Sequence, residues 1–438
     1  MSMYDILIRN AYLRGAPGLS DFGVLDGRIM SIAAGSPRQT ATRILDIGGR
    51  MVLPSFVDAH MHLDTALTLG RPRHNRSGTL AEGIEIWGEL KSTLTFEEIR
   101  DNAMEALLWE VAKGTGFIRC HVDICDPELR ALRALREVRE AARGLCEVQL
   151  VAFPQDGALT FPSGRRLMRE AVELGCDVIG GIPHQAPTYS AGCAELDFVF
   201  DLATQFDLDI DCHCDETDDP NSRFVNALVE RTEAAGWHGR VTASQCTAMA
   251  GYPSRIVEVV SRRLASAGIS VIVCPFVNVL LQGRGDTSLR RRGIAPIREL
   301  LANGVNVAVG YDSIMDAWLA LGDGDMLAAA QLALLLGQLS GSDETQVVLD
   351  LVTTNGARAM GIRTGYGLAD GDHADFVVLD AVDPAEALRL VPERLFVFHR
   401  GRQVASTEPA RSTIAGATGR EITFRPPGRV LPPVREPT

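Results

Sequence analysis

The sequence predicts a parallel (β/α)8 barrel accompanied by a small β-sandwich domain drawn from both chain ends. Three observations predict it. Eight short apolar runs alternate with stretches of helical periodicity through the middle of the chain. Each run gives way at its C-terminal end to polar or ionisable residues. Strand-like segments without intervening helices occupy both ends.

At the start, Tyr4–Ile8, Gly23–Ile29 and Ala41–Leu53 read as strands, with Asp26-Gly27 as a hairpin signal. Too little apolar surface lies here to bury alone. The pattern returns at Phe376–Leu379, Leu395–Phe398 and Gly401–Val404, so the two ends are expected to pair. The domains are therefore drawn as 1–55 and 361–424 for the sandwich and 56–360 for the barrel. The segment 425–438, rich in Pro and Arg, is expected to be an extended arm or disordered.

The barrel strands follow in order. The first, over 51–59, runs into His60 and His62. The second, Thr115–Cys120, ends in His121. The third, Glu147–Phe153, ends in Gln155. The fourth, Val178–Ile182, ends in His184. The fifth, Leu208–Cys212, ends in His213 and Glu216. The sixth, Arg240–Ala243, ends in Ser244 and Gln245. The seventh, Ile269–Cys274, runs to Asn278. The eighth, Val305–Val309, ends in Tyr311, Asp312 and Ser313. Helical periodicity separates them, as over Ile99–Ala112 and Leu129–Arg143, and Thr95–Glu98 forms a capping box. In such barrels the C-terminal rim carries the chemistry.

Composition narrows the function. The chain of 438 residues has 46% hydrophobic residues, enough for a large core, and a net charge of -13, which argues against nucleic acid and anionic lipid as partners. The N-terminus shows no basic segment followed by an apolar core, and no 18-residue apolar run is present, so no membrane span and a cytoplasmic location are expected. The nine cysteines read as reduced thiols, and Cys212 and Cys214, either side of His213, as small hydrophobes alternating on a strand. No Cys-x-x-Cys accompanies them, which argues against the small zinc deaminases. A homo-oligomer is expected.

Residues two apart on a strand share a face, so His60 and His62 can reach one cation. His213 is the natural third ligand. No histidine occurs between His238 and His373, which leaves Asp312 as the best fourth. Oxygen and nitrogen ligation suits Zn(II), Fe(II) or Mn(II). Neither lysine, Lys91 or Lys113, ends a strand, so a lysine-bridged metal pair is not expected and one divalent ion is. Water on such an ion becomes a nucleophile near neutral pH. Glu216, three residues after His213, is placed to shuttle a proton.

The chain resembles the amidohydrolase superfamily, specifically its cytosine deaminase branch. The resemblance runs through His60-Met61-His62-Leu63-Asp64, Ser77–Ile84, Ala152–Gln155, Gly181–His184, His213–Glu216, Leu281–Arg284 and Asp312–Trp318. It implies that His60, His62, His213 and Asp312 bind a single iron or zinc and that Glu216 moves protons to the substrate ring. It implies that Gln155 recognises the ring and that Trp318 walls it. Ser313, His184 and Leu80 complete the expected substrate contacts. Two positions depart from the family pattern. Strand six ends in Ser244-Gln245 rather than Ser-His, and an amide cannot accept a proton from water at useful pH. Asp312 would then carry the base role together with Glu216. The second carboxylate after the strand-eight ligand is here Ser313.

The reading that follows is a metal-dependent hydrolase acting on a C–N bond of a nitrogen heterocycle such as a pyrimidine or triazine, with cytosine itself not the expected substrate. A hydrolase of an amide, lactam or carbamate, and a non-catalytic metal-binding relative, are the alternatives. His121 and Asp123 are expected to orient a ligand, Asp316 and Asp325 to hold Trp318 and the following helix, and Arg290–Arg292 to make a structural or subunit contact.

Overall fold

The computed structural model describes residues 4–31, 40–415, 421–426 and 431–436. The chain divides into two compact units, one of Met1–Phe56, Val111–Gly116 and Arg363–Thr438, the other of Val57–Glu110 and Phe117–Ile362. Among the described residues no helix is long and apolar enough to cross a membrane.

In the first unit, β1 (Tyr4–Tyr12), β2 (Leu19–Leu25), β3 (Arg28–Ser31), β4 (Ala41–Asp46) and β5 (Met51–Pro54) come from the N-terminal end. β1 pairs antiparallel with β2, with Ile6 opposite Val24, and parallel with β4. The C-terminal strands join through β5, which pairs antiparallel with the strand Phe376–Leu379, Val52 lying opposite Val378. Both ends thus share one eight-stranded, branched sheet and one core, in which Ile6, Ile8, Val24, Val52, Phe376 and Phe398 are buried. The Phe376 and Phe398 rings stack 4.5 Å apart. Residues 111–116, read from the sequence as barrel, belong to this unit because Arg394 Nε donates to the Lys113 carbonyl at 2.9 Å and Phe56 N to that of Gly114 at 2.9 Å. Part of the predicted arm, 427–430 and 437–438, lies outside the described residues. Of the rest, Arg435 exchanges backbone hydrogen bonds with Asp46, and Arg425 Nε meets Glu386 at 2.8 Å.

The second unit is the barrel. Its strands are β6 (Phe56–Met61), β7 (Thr115–Asp123), β8 (Glu147–Phe153), β9 (Val178–Gly181), β10 (Asp209–Cys214), β11 (Val241–Gln245), β12 (Ser270–Val273) and β13 (Val307–Val309). They neighbour one another in chain order, and the pairs from β7 to β13 are parallel. Apolar runs of this kind need both faces covered, and helices between successive strands cover the outer one. Side-chain caps start several of these helices. Thr95 and Glu98 cap each other's backbone N–H, and Asp325 Oδ1 accepts from Leu327 N and Ala328 N.

The ring closes where its first and last strands meet. Met61 bridges to Asp312. Asp312 N donates to the His60 carbonyl at 2.8 Å, and His62 N donates to the Asp312 carbonyl at 2.8 Å. Gly310 makes this approach possible, because a Cβ there would stand 2.4 Å from His60 Cβ and 2.7 Å from the His60 oxygen. Forcing a methyl into such a seam costs about 1–3 kcal/mol. Gly310→Ala is therefore expected to lower the urea denaturation midpoint and the metal content of the purified protein together. A variant with wild-type values of both would show that the seam does not need this contact.

Candidate metal centre and cavity

Four side chains converge at the closing seam. His60 Nε2 and His62 Nε2 each lie 3.2 Å from His213 Nε2. Asp312 Oδ1 lies 3.5 Å from the first and 3.4 Å from the second. Donors about 2.1 Å from a tetrahedral ion stand about 3.4 Å from one another, so the spacing fits a divalent cation. His60 and His62 arrive from β6 two residues apart, His213 from β10, and Asp312 just beyond β13. Burial holds the His62 imidazole down to about 4 and that of His213 well below its usual range, which keeps their nitrogens free to donate lone pairs. Burial alone would raise Asp312. The hydrogen bond and charge of His60, the charge of His62 and the Gln245 amide outweigh it and hold the carboxyl at about 2, ionised.

Other buried groups brace these four. Asp58 Oδ1 accepts from His60 N and Tyr311 N, both at 3.0 Å, tying the first and last strands together. Burial raises Asp58 to about 7 and Glu110, beside it, well above the carboxylate range, so a proton is retained between them. His121 stacks on His60, ring centroids 3.9 Å apart, and its Nε2 lies 3.4 Å from Asp211 Oδ1. Asp211 is already engaged by Arg119 Nη1 at 2.9 Å and Ser244 Oγ at 2.7 Å. His60, His121 and Asp211 could geometrically hold a second ion. The guanidinium on Asp211 argues against it, and the trio reads better as a brace. Asp123 accepts from Trp87 Nε1 at 2.8 Å and Lys91 Nζ at 2.9 Å, and its backbone N donates to Asp64 Oδ2 at 2.8 Å.

A cavity opens above the four donors, lined by His62, His213 and Asp312 with Leu80, Gln155, Glu216, Gln245, Ser313 and Trp318. Gln185, Val277 and Leu281 complete it. His60 lies beneath, fully buried. Burial, and then the charge of Asp312, push the Glu216 carboxyl well above the usual carboxylate range. Trp318 is set by Asp316, whose Oδ1 accepts from Trp318 N at 2.9 Å and Leu319 N at 3.0 Å. Its indole lies against Gly83, where a Cβ would meet Cδ1 at 2.4 Å. Gln245 has both ends engaged. Its Nε2 donates to Asp312 Oδ2 at 2.9 Å and its Oε1 accepts from Asn278 Nδ2 at 2.6 Å.

One expected contact is displaced. His184 does not line the cavity, and its neighbour Gln185 does. The two sit in the short turn Pro183–Gln185, where successive side chains diverge, and the His184 ring is turned to the His213 backbone. Of the arginine run, Arg291 pairs with Asp286 at 2.8 Å, a contact within its own loop. Sequence reasoning missed Arg119, Asp211, Asp58 and Glu110. The signal was there for two of them: Arg119 lies two residues before His121 and Asp211 two before His213, so each shares the inward face of its strand.

The profile of the amidohydrolase family matches residues 43–414. The chain belongs to the amidohydrolase family. An N-isopropylammelide isopropyl amidohydrolase from a Pseudomonas species is 30% identical over 92% of this chain and 98% of its own. A 5-methylcytosine deaminase from Klebsiella pneumoniae, solved with 5-fluorocytosine, is 40% identical with a TM-score of 0.89, covering 92% of this chain and 98% of that one. An N-isopropylammelide isopropylaminohydrolase from Burkholderia multivorans superposes with a TM-score of 0.79 at 28% identity, over 92% and 99%. The expected fold class and superfamily therefore hold, and this amidohydrolase is a metal-dependent hydrolase of C–N bonds.

The brace yields a measurable coupling. Removing Arg119 alone leaves Asp211 as an uncompensated buried charge, a loss of about 3–5 kcal/mol, whereas replacing both partners by apolar residues costs much less. Arg119→Met is expected to destabilise the protein strongly, and Arg119→Met with Asp211→Leu to recover part of the loss. Urea unfolding of the four proteins of this cycle measures it, and simple additivity would overturn the brace.

Proposed function

We propose that this amidohydrolase holds one divalent ion on His60, His62, His213 and Asp312 and hydrolyses the exocyclic amine of a 5-substituted cytosine, releasing ammonia. The observation that carries this reading is the 40% match to a 5-methylcytosine deaminase across nearly the whole of both chains. The cavity is consistent with it. Leu80, Val277, Leu281 and Trp318 offer apolar surface for a flat ring, and Gln155 offers a donor and an acceptor side by side for a ring carbonyl and N–H. Ser313 is short and uncharged where the family pattern carries a carboxylate, which leaves room for a substituent on the ring.

A divalent cation on the four donors supplies Lewis acidity and makes water nucleophilic near neutral pH. Glu216, whose carboxyl burial pushes well above the usual range, gives a proton to the ring nitrogen beside the attacked carbon. The carboxylate it leaves takes one proton of the water that adds at the ring carbon and passes it to the amino group; the C–N bond then breaks, ammonia leaves, and the second water proton returns to Glu216 as the ring carbonyl forms. Gln245, with both amide ends engaged, positions Asp312 and takes no part in moving protons. A second reading, loss of an alkylamine from an N-substituted triazine, is favoured by the 30% match to the ammelide enzyme.

Protein loaded with zinc or iron is expected to bind one ion per chain and to release ammonia from 5-methylcytosine, and chelation to abolish turnover. Glu216→Gln should retain the metal and lower kcat by about 10²–10⁴-fold. Release of isopropylamine from N-isopropylammelide with no ammonia from any cytosine would transfer the assignment to the second reading. Turnover unchanged in Glu216→Gln would remove that residue from the mechanism.

A further inference from the structure

We propose that Asn278 is a positioning residue that locks Gln245 in one amide orientation, so that the metal centre always meets an N–H donor at Asp312 Oδ2. The inference rests on Asp312 being a metal ligand, as proposed above.

The argument is one of hydrogen-bond polarity. A carboxamide has two ends of nearly equal size, one donating and one accepting, so its orientation is set by its partners. Here two carboxamides stand in series, both buried. At one end of the series is the Cys274 backbone N–H, which can only donate, 3.0 Å from Asn278 Oδ1. At the other is the ionised Asp312 carboxylate, which can only accept, 2.9 Å from Gln245 Nε2. Between them Asn278 Nδ2 donates to Gln245 Oε1 at 2.6 Å. Only one arrangement satisfies all three contacts. Turning either amide over sets carbonyl against carbonyl or NH2 against NH2 at buried positions, where an unmet polar group is costly.

The backbone adds to the constraint. β11 ends with Gln245 at φ +75° and Cys246 at φ +49°, left-handed conformations that direct the Gln245 side chain across the mouth of the barrel. Asn278 comes from the helix Pro275–Leu281, after β12. The result divides the two oxygens of Asp312. Oδ1 faces His60 and His62, and Oδ2 is held by the amide. A histidine at 245, as in the family pattern, could present either a donor or an acceptor according to its tautomer and charge. An amide needs an outside reference for its direction, and Asn278 supplies it. The role of Asn278 is therefore conditional on Gln at 245.

The test is a coupling between the two positions, read by competition of Zn2+ between the protein and a chromophoric chelator. Asn278→Asp is isosteric but places an acceptor against Gln245 Oε1, which drives the amide to turn its oxygen on Asp312. The variant is expected to lose about 10–100-fold in zinc affinity, the usual range for partners of ligands, and to lower kcat more than it changes KM. In Gln245→His the same change should be tolerated, since an imidazolium can donate to both carboxylates at once. Should Asn278→Asp fail to fold, Asn278→Ala, which imposes no clash, is compared in the same two backgrounds, with a smaller loss confined to Gln245. Equal losses in both backgrounds, or wild-type zinc affinity in Asn278→Asp, would overturn the proposal. The chelator competition requires no substrate, so it reads this coupling separately from the assignment to cytosines.

Discussion

Everything at the catalytic end of this protein depends on the seam that closes the barrel. Two backbone hydrogen bonds, from Asp312 to His60 and from His62 to Asp312, bring together ligands that lie at opposite ends of the barrel sequence. Neither half of the barrel could hold the ion alone. The cation site and the closed ring are one structure, because the residues that finish the ladder are the residues that would bind the metal. Asp58 reinforces this from below by accepting from both strands, and Gly310 permits it by having no side chain where the strands touch. A seam made of such non-local contacts carries the entropy cost of closing the long chain between them.

Burial at that seam separates acids into different roles. The carboxyl of Asp312 is lowered because imidazoles and an amide surround it, whereas that of Glu216, across the same cavity, is raised because burial and Asp312 itself oppose its charge. In the proposed chemistry one carboxylate binds and the other carries a proton, and it is the environment that distinguishes them. The Asp58–Glu110 pair follows the same rule without facing the cavity. Burial raises both carboxyls, and Asp58 Oδ1 accepts from two backbone N–H groups.

The outline of this arrangement was legible in the sequence for a physical reason. A strand buried on both faces is a run of apolar residues, and its functional end is the point at which the run stops. Read that way or through the family pattern, His60, His62, His213 and Asp312 come together as one cluster of donors, and Gln155, Glu216 and Trp318 line the cavity beside it. What was not legible lies inside the runs. Arg119 and Asp211 interrupt strands without ending them, and only the closed barrel shows that they neutralise each other. Glu110 lies in a helical stretch whose periodicity says nothing about a carboxylate on another strand. His184 was misplaced by a single residue because the turn Pro183–Gln185 has no strand-like alternation, so its neighbour reaches the cavity instead.

Gln245 is where sequence and structure bear most directly on chemistry. Read alone, a glutamine in place of histidine is the loss of a base. In the fold it is a fixed donor, engaged at both ends between Asn278 and Asp312. His62 and His213 are committed to the cation site, and the His184 ring is turned to backbone. Among the cavity's side chains this leaves Glu216 as the one group whose protonation can change without dismantling the centre. A single mobile carboxyl is sufficient for hydrolytic deamination if it acts first as acid to the ring, then as carrier between water and amine, and last as acceptor of the second water proton. The amide at 245 therefore does not argue for an inert protein. On the proposed chemistry it concentrates proton transfer on one residue and leaves the ligand carboxylate to bind.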